Sequence, residues 1–423
     1  MKGLAEWVRL ISLTGVAQVA IQLLGILSGI YIIRVLPTEE YALYTLANAM
    51  LTTMLVLTDS GIGAGVLAGG GKVWQNTEQL GKVIGTGILL RRKFALLALL
   101  LALPVLWYLL IRHDAGWFTA LLIILSIIPA FYAALTDTLY EIPLKLNQDI
   151  VSLQKNQLLA NVSRFLLLVA CLFFLPFTFI AFLCLGATRI WANLKLKKLA
   201  ARFASIGSGA DPVVEKEVMV MLRRTLPSTV YYCASGQIAV WLISVFGSTK
   251  AIAEVGALDR IVGALGLVHV VFSTLVIPRF ARLPEQSSLL IGRFFQILLL
   301  LVMISMAICT LFYFFSDQVL FVLGAPYRNL QVELLLITVS GCLGLMAAIV
   351  NYLSVARGWA ILPALYIPAS LVVQVSLVCF LNLSVLSNVL IVSIANAATA
   401  LLLYSGYFLY RGFKVEELYD EAA

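Results

Sequence analysis

The chain has 423 residues, 62% of them hydrophobic and 12% charged, with a formal net charge of +8. A mean hydropathy of +1.01 lies far outside the composition of a soluble globular domain. Apolar runs of the roughly 20 residues that a bilayer-crossing helix needs recur along the chain without a long hydrophilic block between them, which excludes a soluble catalytic domain and predicts an all-α polytopic membrane protein.

The first apolar run, Ile11 to Leu36, follows Lys2 and Arg9. It is too long for the apolar core of a secretory signal and is read as an uncleaved first span. The next begins after "RVLPTEEYALYTL" and ends in "LTDSGIGAG", where Asp59 meets Gly61, Gly63 and Gly65. In all, about twelve helices are predicted, near 12–35, 41–68, 94–112, 117–140, 157–175, 177–194, 226–247, 254–279, 291–315, 332–354, 358–382 and 385–410.

Twelve spans place both termini on one side of the membrane, and the Lys/Arg distribution says which side. Most of the 29 basic residues fall in the termini and even-numbered loops, as in "KVWQNTEQLGK", "LLRRK", "KLKK" and "MLRRT". Arg34, Arg112, Lys250 and Arg328 fall on the opposite side, and Arg164, Arg189 and Arg260 fall within spans. Both termini are therefore expected in the cytoplasm. This topology signal accounts for the net positive charge without a nucleic-acid partner.

The longest cytosolic loop, 195–225, runs through "SIGSGADP" into "VVEKEVMVMLRRT", where Val214, Val218, Met221 and Leu222 share a helical face. An interfacial amphipathic helix leading into the seventh span is expected. The loop divides the chain into an N-terminal six-helix lobe (1–194), this linker, a C-terminal six-helix lobe (226–410) and a cytosolic tail (411–423). The ends of spans one and seven, "IIRVLPTEEYALYTL" and "LISVFGSTKAIAEVGALDR", share a polar break followed by a helix rich in small residues. An even number of spans per half makes such a repeat parallel, as in one class of secondary transporter.

The six cysteines, Cys171, Cys184, Cys233, Cys309, Cys342 and Cys379, lie in apolar runs without C-x-x-C spacing, and His113 and His269 have no ligand-like neighbours. No metal, disulfide or cofactor is implied. No G-x-x-x-x-G-K-[ST] stretch occurs, so ATP is not the expected direct driver.

The stretches "RVLPTEEYALYTLANAM" (34–50), "EVGALDRIVGALG" (254–266), "IPRFARL" (277–283) and "VLGAPYRNLQVELLLITVSGCLGLMAAIVNYLSVARG" (322–358) together resemble the bacterial Wzx-type polysaccharide flippases of the multidrug/oligosaccharidyl-lipid/polysaccharide (MOP) exporter superfamily. The resemblance covers essentially the whole chain. It departs from the family where Tyr41 precedes Ala42 in place of a glycine after the acidic pair. It implies two pseudo-symmetric six-helix lobes around a central cavity in the bacterial inner membrane, and export of an undecaprenyl-diphosphate-linked oligosaccharide to the periplasmic leaflet. It also implies coupling to a gradient of H+ or Na+, membrane lipids as surroundings, and a polysaccharide polymerase with its chain-length machinery as partners.

A transport path should show as polar stripes at i, i+3 and i+4 on apolar helices. Gln18, Gln22, Gly25 and Gly29 form one such stripe, Thr45, Asn48, Thr52 and Asp59 a second, and Gln157, Asn161 and Arg164 a third. Each also fits ordinary interhelical hydrogen bonding. At about 1.5 Å per residue, Asp59 lies roughly 27 Å from Tyr41, and Asp137 is at least as far from Trp117. Both acids approach the cytosolic interface, where they suit a gate, an ion-coupling site or a mouth-lining role.

An embedded guanidinium needs pairing or hydration. Arg164 and Arg260 are expected about 10 Å inside their spans, where the planar fork suits a diphosphate. Structural pairing of Arg164 with Asp137 is the alternative. Arg189 is close enough to the cytosol to reach it by snorkelling. The substrate-binding candidates are thus Arg164, Arg260, Asn161, Gln18, Gln22, Asn48 and Thr52, with Asp59 and Asp137 as gate or coupling residues.

Two other functions stay open. A MATE-type antiporter of small molecules would favour organic cations, buried acids and few arginines. An integral-membrane polysaccharide enzyme would want a sizeable extracytoplasmic loop, and the longest here, "SDQVLFVLGAPYRNLQ", carries one acid and one base.

Overall fold

The computed structural model describes residues 2–206, 209, 211–281, 283–284, 286–357, 359 and 361–420. Gly207, Ser208 and Ala210 of the linker and the last three residues of the tail lie outside the described residues. The fold is all-α, with no strand among the described residues. Ten helices are long and apolar enough to cross a membrane, or eleven if one bent pair counts as a single span. The chain divides into two compact units, Met1–Val240 and Trp241–Ala423.

The N-terminal unit is built from α1 (Lys2–Val35), α2 (Thr38–Asp59), α3 (Ile62–Val73), α4 (Thr77–Arg112), α5 (Trp117–Leu146), α6 (Ile150–Phe174), α7 (Thr178–Ala200) and α8 (Pro212–Gly236). Side-chain caps set several of these starts. Asn76 accepts from the backbone N–H groups of Glu78 and Gln79, both at 3.1 Å, ahead of α4. Asp211 accepts from Val213 N–H at 2.8 Å ahead of α8, with Pro212 at the first helical position. Glu40, in the first turn of α2, reaches across to α7. Its carboxylate accepts from Thr178 N–H at 2.7 Å, and its carbonyl accepts from the Thr178 hydroxyl at 2.6 Å. An acid that marks a loop in the sequence is therefore also a cap for a helix 138 residues away.

The span expected at 41–68 is two helices. Asp59 is the last residue of α2, and Ser60 (φ 36°) and Gly61 (φ 90°) turn the chain into α3. A side chain at Gly61 would strike the Thr225 hydroxyl, and that hydroxyl donates to the Ser60 carbonyl at 2.5 Å. Two further expectations are corrected here. The "RRK" triplet at 91–93, assigned to a loop, lies inside α4, whose cap at Asn76 starts it well before the apolar run. The linker helix α8 packs on protein: Val218 and Leu222 are buried in a core with Ile62, Val66, Leu80, Ile84 and Leu139. Of its expected apolar face, Met221 alone is exposed.

The C-terminal unit holds α10 (Thr249–Val262), α11 (Gly266–Val271), α12 (Ile277–Ala281), α13 (Ser287–Phe314), α14 (Ser316–Leu323), α15 (Gln331–Ala356), α16 (Pro363–Phe380) and α17 (Leu386–Asp420), preceded by α9 (Ile238–Phe246) at the boundary. Its core surrounds Phe408, which stacks on Phe294 with ring centroids 4.3 Å apart and meets Phe280 and Trp359. The span expected at 254–279 is interrupted by a 3-10 turn at Gly263–Leu265 and a π turn at Phe272–Val276. Such irregularities mark places where a helix departs from its regular ladder.

Candidate functional site

Four helices of the N-terminal unit converge on a polar cavity of about 420 Å³. The sequence spacing explains the lining. On α5, Asp137 and Glu141 are four residues apart and share a face. On α6, Gln157, Asn161 and Arg164 follow the same rule with Asn156 alongside, as do Leu185, Thr188, Arg189 and Ala192 on α7. From α1 come Gln18 and Ile21. At about 1.5 Å per residue, Arg164 is roughly 21 Å from the start of α6 and roughly 15 Å from its end. Arg164 is therefore deep within the span, while Glu141, Asn156 and Leu196 bring the cavity toward one end of their helices.

Hydrogen bonds tie the walls together. The Gln18 amide N–H donates to Gln157 Oε1 at 3.4 Å and Gln154 Oε1 at 3.3 Å. Gln157 in turn donates to Glu141 at 2.8 Å, and Lys145 pairs with the other Glu141 oxygen at 2.6 Å. Asn161 donates to the Gln157 carbonyl at 2.8 Å. Asp137 accepts from Arg189 Nε at 3.1 Å and from Asn193 Nδ2 at 2.5 Å.

A second cavity, of about 290 Å³, lies on the other side of that ion pair, since Asp137, Thr138 and Arg189 line both. It is bordered by Asp59, Ser60, Gly61 and Arg91. Arg91 is joined to Asp59 Oδ1 and donates to the Leu135 carbonyl and the Thr138 hydroxyl, both at 2.7 Å. Asp59 also accepts from Gly63 N–H at 2.9 Å, so it closes the open start of α3.

Of the residues singled out in the sequence, Gln18, Asn161, Arg164 and Asp137 line the first cavity, and Asp59 lines the second with Asp137. Gln22, Asn48 and Thr52 line neither. The Thr52 hydroxyl is taken up by its own helix, donating to the Asn48 carbonyl at 2.9 Å. Arg260 sits in the last turn of α10 in the other unit.

The alternative that paired Asp137 with Arg164 is not the one the fold takes: Asp137 pairs with Arg189. Arg189, read as able to reach the cytosol, lies mid-helix in α7 and is engaged through its Nε, with 35% of its side chain exposed. Sequence reading missed Glu141, Asn156 and Arg91 as site residues. For Glu141 the signal was present in its four-residue spacing from Asp137. For Arg91 none was present, because a basic triplet beside an apolar run reads as a membrane boundary.

No family model matches the chain, and no curated protein matches it. Solved structures do. An inward-facing conformation of a multidrug resistance MATE family transporter of the MOP superfamily is similar over 97% of this chain and 100% of its own, at 14% identity and a TM-score of 0.72. A MATE in complex with MaD3S is similar over 96% of each chain, at 15% identity and a TM-score of 0.65. An outward-facing conformation of a MATE family transporter covers 97% of this chain and 96% of its own, at 12% identity and a TM-score of 0.61. The likeness is one of fold: the chain is a multi-pass helical membrane protein with the architecture of these transporters.

Proposed function

We propose that the protein is a transporter, not an enzyme, and that it moves an undecaprenyl-diphosphate-linked oligosaccharide from the cytosolic to the periplasmic leaflet of the bacterial inner membrane by alternating access. The observation that carries this reading is the cavity of the N-terminal unit, where amides from three residues of α6 and one of α1 stand beside Arg164 and Arg189. Polar and charged side chains at such depth are costly in a bilayer and mark transport paths. This lining suits a cargo with many hydroxyl and phosphoryl oxygens, whose lipid tail stays in the bilayer. Arg164 is the proposed diphosphate contact of the inward-open state and Arg260 that of the outward-open state, since a guanidinium fork matches phosphate oxygens. A gradient of H+ or Na+ is the proposed energy source, with Asp137 and Asp59 as coupling or gate residues.

The fold likeness to MATE transporters and the pair Asp137 and Glu141 favour a second reading, a small-molecule antiporter. The experiment is reconstitution into vesicles with labelled lipid-linked oligosaccharide, scored by its accessibility on the far leaflet. Transport lost in Arg164→Ala and partly restored in Arg164→Lys supports the flippase. Gradient-driven ethidium movement that depends on Asp137, with no lipid-linked oligosaccharide transport, replaces it with the antiporter.

A further inference from the structure

We infer that the cavity of the N-terminal unit is a subsite for one neutral sugar ring of the cargo, with Asn156 as hydrogen-bond acceptor and Arg189 as donor; this rests on the oligosaccharide reading above. Asn156 is 3% exposed. Its Nδ2 donates to the Ala192 carbonyl on α7 at 3.1 Å, which fixes the orientation of the amide. The opposite end, Oδ1, accepts no hydrogen bond from any described residue. A buried acceptor left unmet costs about 1–3 kcal/mol, and such groups are uncommon in folded proteins. Asn156 lines the cavity while its Oδ1 is shielded from it, and a small turn of the side chain toward the cavity would present that acceptor to a donor there.

The matching donor is one turn away. Arg189 precedes Ala192 by three residues on α7 and lines the same cavity. Asp137 engages its Nε, and its two terminal amino groups hydrogen-bond no described residue. An unmet acceptor on α6 and a donor fork on α7 thus line the same cavity.

Charge then selects among ligands. A cation would suit Asn156 Oδ1 but would meet the guanidinium groups of Arg189 and Arg164. Beside Asn156 and Arg189 an anion would suit the guanidinium but would face Asn156 Oδ1, Asp137 and Glu141, which leaves the diphosphate to Arg164 farther along α6. A neutral group carrying a donor next to an acceptor suits both positions, and vicinal hydroxyls or an acetamido group on a sugar have that pattern. The volume of about 420 Å³ is near the lower end of the roughly 300–1,000 Å³ typical of small-ligand pockets. A single ring fits that space better than a whole oligosaccharide, with Ile21 and Leu185 as apolar walls for its C–H faces.

The test uses the purified full chain in detergent, with titration calorimetry against glucose, galactose, N-acetylglucosamine and N-acetylgalactosamine. Sodium chloride and glucuronate serve as charged comparisons. Saturable binding of at least one neutral sugar is expected, weakened about tenfold in Asn156→Leu, the scale of one lost hydrogen bond with its partner still desolvated. If Asn156→Leu does not fold, Arg189→Lys carries the test, because it keeps a charge opposite Asp137 and loses the fork; the same weakening is expected. Absence of binding by all four sugars overturns the subsite. So does binding of sodium or glucuronate in their place, or sugar binding unchanged in the variants. The vesicle assay keeps the two ideas apart: lipid-linked oligosaccharide transport without sugar binding removes the subsite and leaves the flippase. Sugar binding without that transport removes the flippase and leaves the site.

Discussion

Arg91, with only 5% of its side chain exposed, is joined to Asp59, whose carboxylate closes the start of the next helix. One guanidinium thereby connects the end of α2, the start of α3 and, through Leu135 and Thr138, the middle of α5. The residue that best fits a gate in the sequence is built into a joint of the N-terminal unit.

That relationship ranks two substitutions. Arg91→Ala removes the donor shared by the Leu135 carbonyl, the Thr138 hydroxyl and Asp59, but the carboxylate left behind is 45% exposed and stays solvated, so the loss should be about 1–3 kcal/mol. Asp59→Asn should cost more, about 3–5 kcal/mol, because it leaves the Arg91 guanidinium, 5% exposed, as an uncompensated buried charge. Thermal unfolding of the purified variants measures both. A larger loss for Arg91→Ala would show that its hydrogen bonds to α5 outweigh the charge pairing.

Charge exchange separates the two possible partners of Asp137. Asp137→Arg combined with Arg189→Asp should recover folded yield lost in each single variant, because the pair is remade with its signs reversed. Asp137→Arg combined with Arg164→Asp should not recover it. Size-exclusion profiles at matched expression report the outcome, and recovery by the Arg164 combination would transfer the structural pairing to that residue.

The linker helix offers a contrast between apolar and ionic docking. Leu222 is buried at 2% exposure, so Leu222→Ala should destabilise by about 2–5 kcal/mol. The exposed pairs Lys72 with Glu217 and Lys93 with Glu215, at 3.4 and 2.9 Å, should each contribute about 0–1 kcal/mol. Glu217→Gln and Glu215→Gln should therefore unfold near the wild-type temperature. A loss in either variant as large as that of Leu222→Ala would mean that α8 is held by charge.

The proposed orientation, with α8 on the cytosolic side, rests on the basic loops and is checked at Lys216, an exposed residue of α8. In a cysteine-free background, Lys216→Cys should react with a membrane-impermeant maleimide only after the cytosolic face is opened. Labelling in intact cells would reverse the assigned orientation and exchange the two leaflets in the transport reading.

The membrane class and most of the spans were legible in the sequence because each depends on neighbours along the chain. Apolar length decides whether a helix can cross a bilayer, whereas the caps Asn76, Asp149 and Ser248, equally local, went unread and start α4, α6 and α10 ahead of the apolar runs from which those helices were expected. The polar stripe Gln157, Asn161 and Arg164 was visible for the same reason, since helical spacing alone puts it on one face. Partner choice was not. Asp137 lies 52 residues from Arg189, and Asp59 lies 32 from Arg91. Several acids and several arginines could have satisfied the charge balance equally well. Only the packing of α5 against α7, and of α4 against α2 and α5, decided which guanidinium meets which carboxylate, because an ion pair inside an apolar bundle requires contact that linear spacing does not encode.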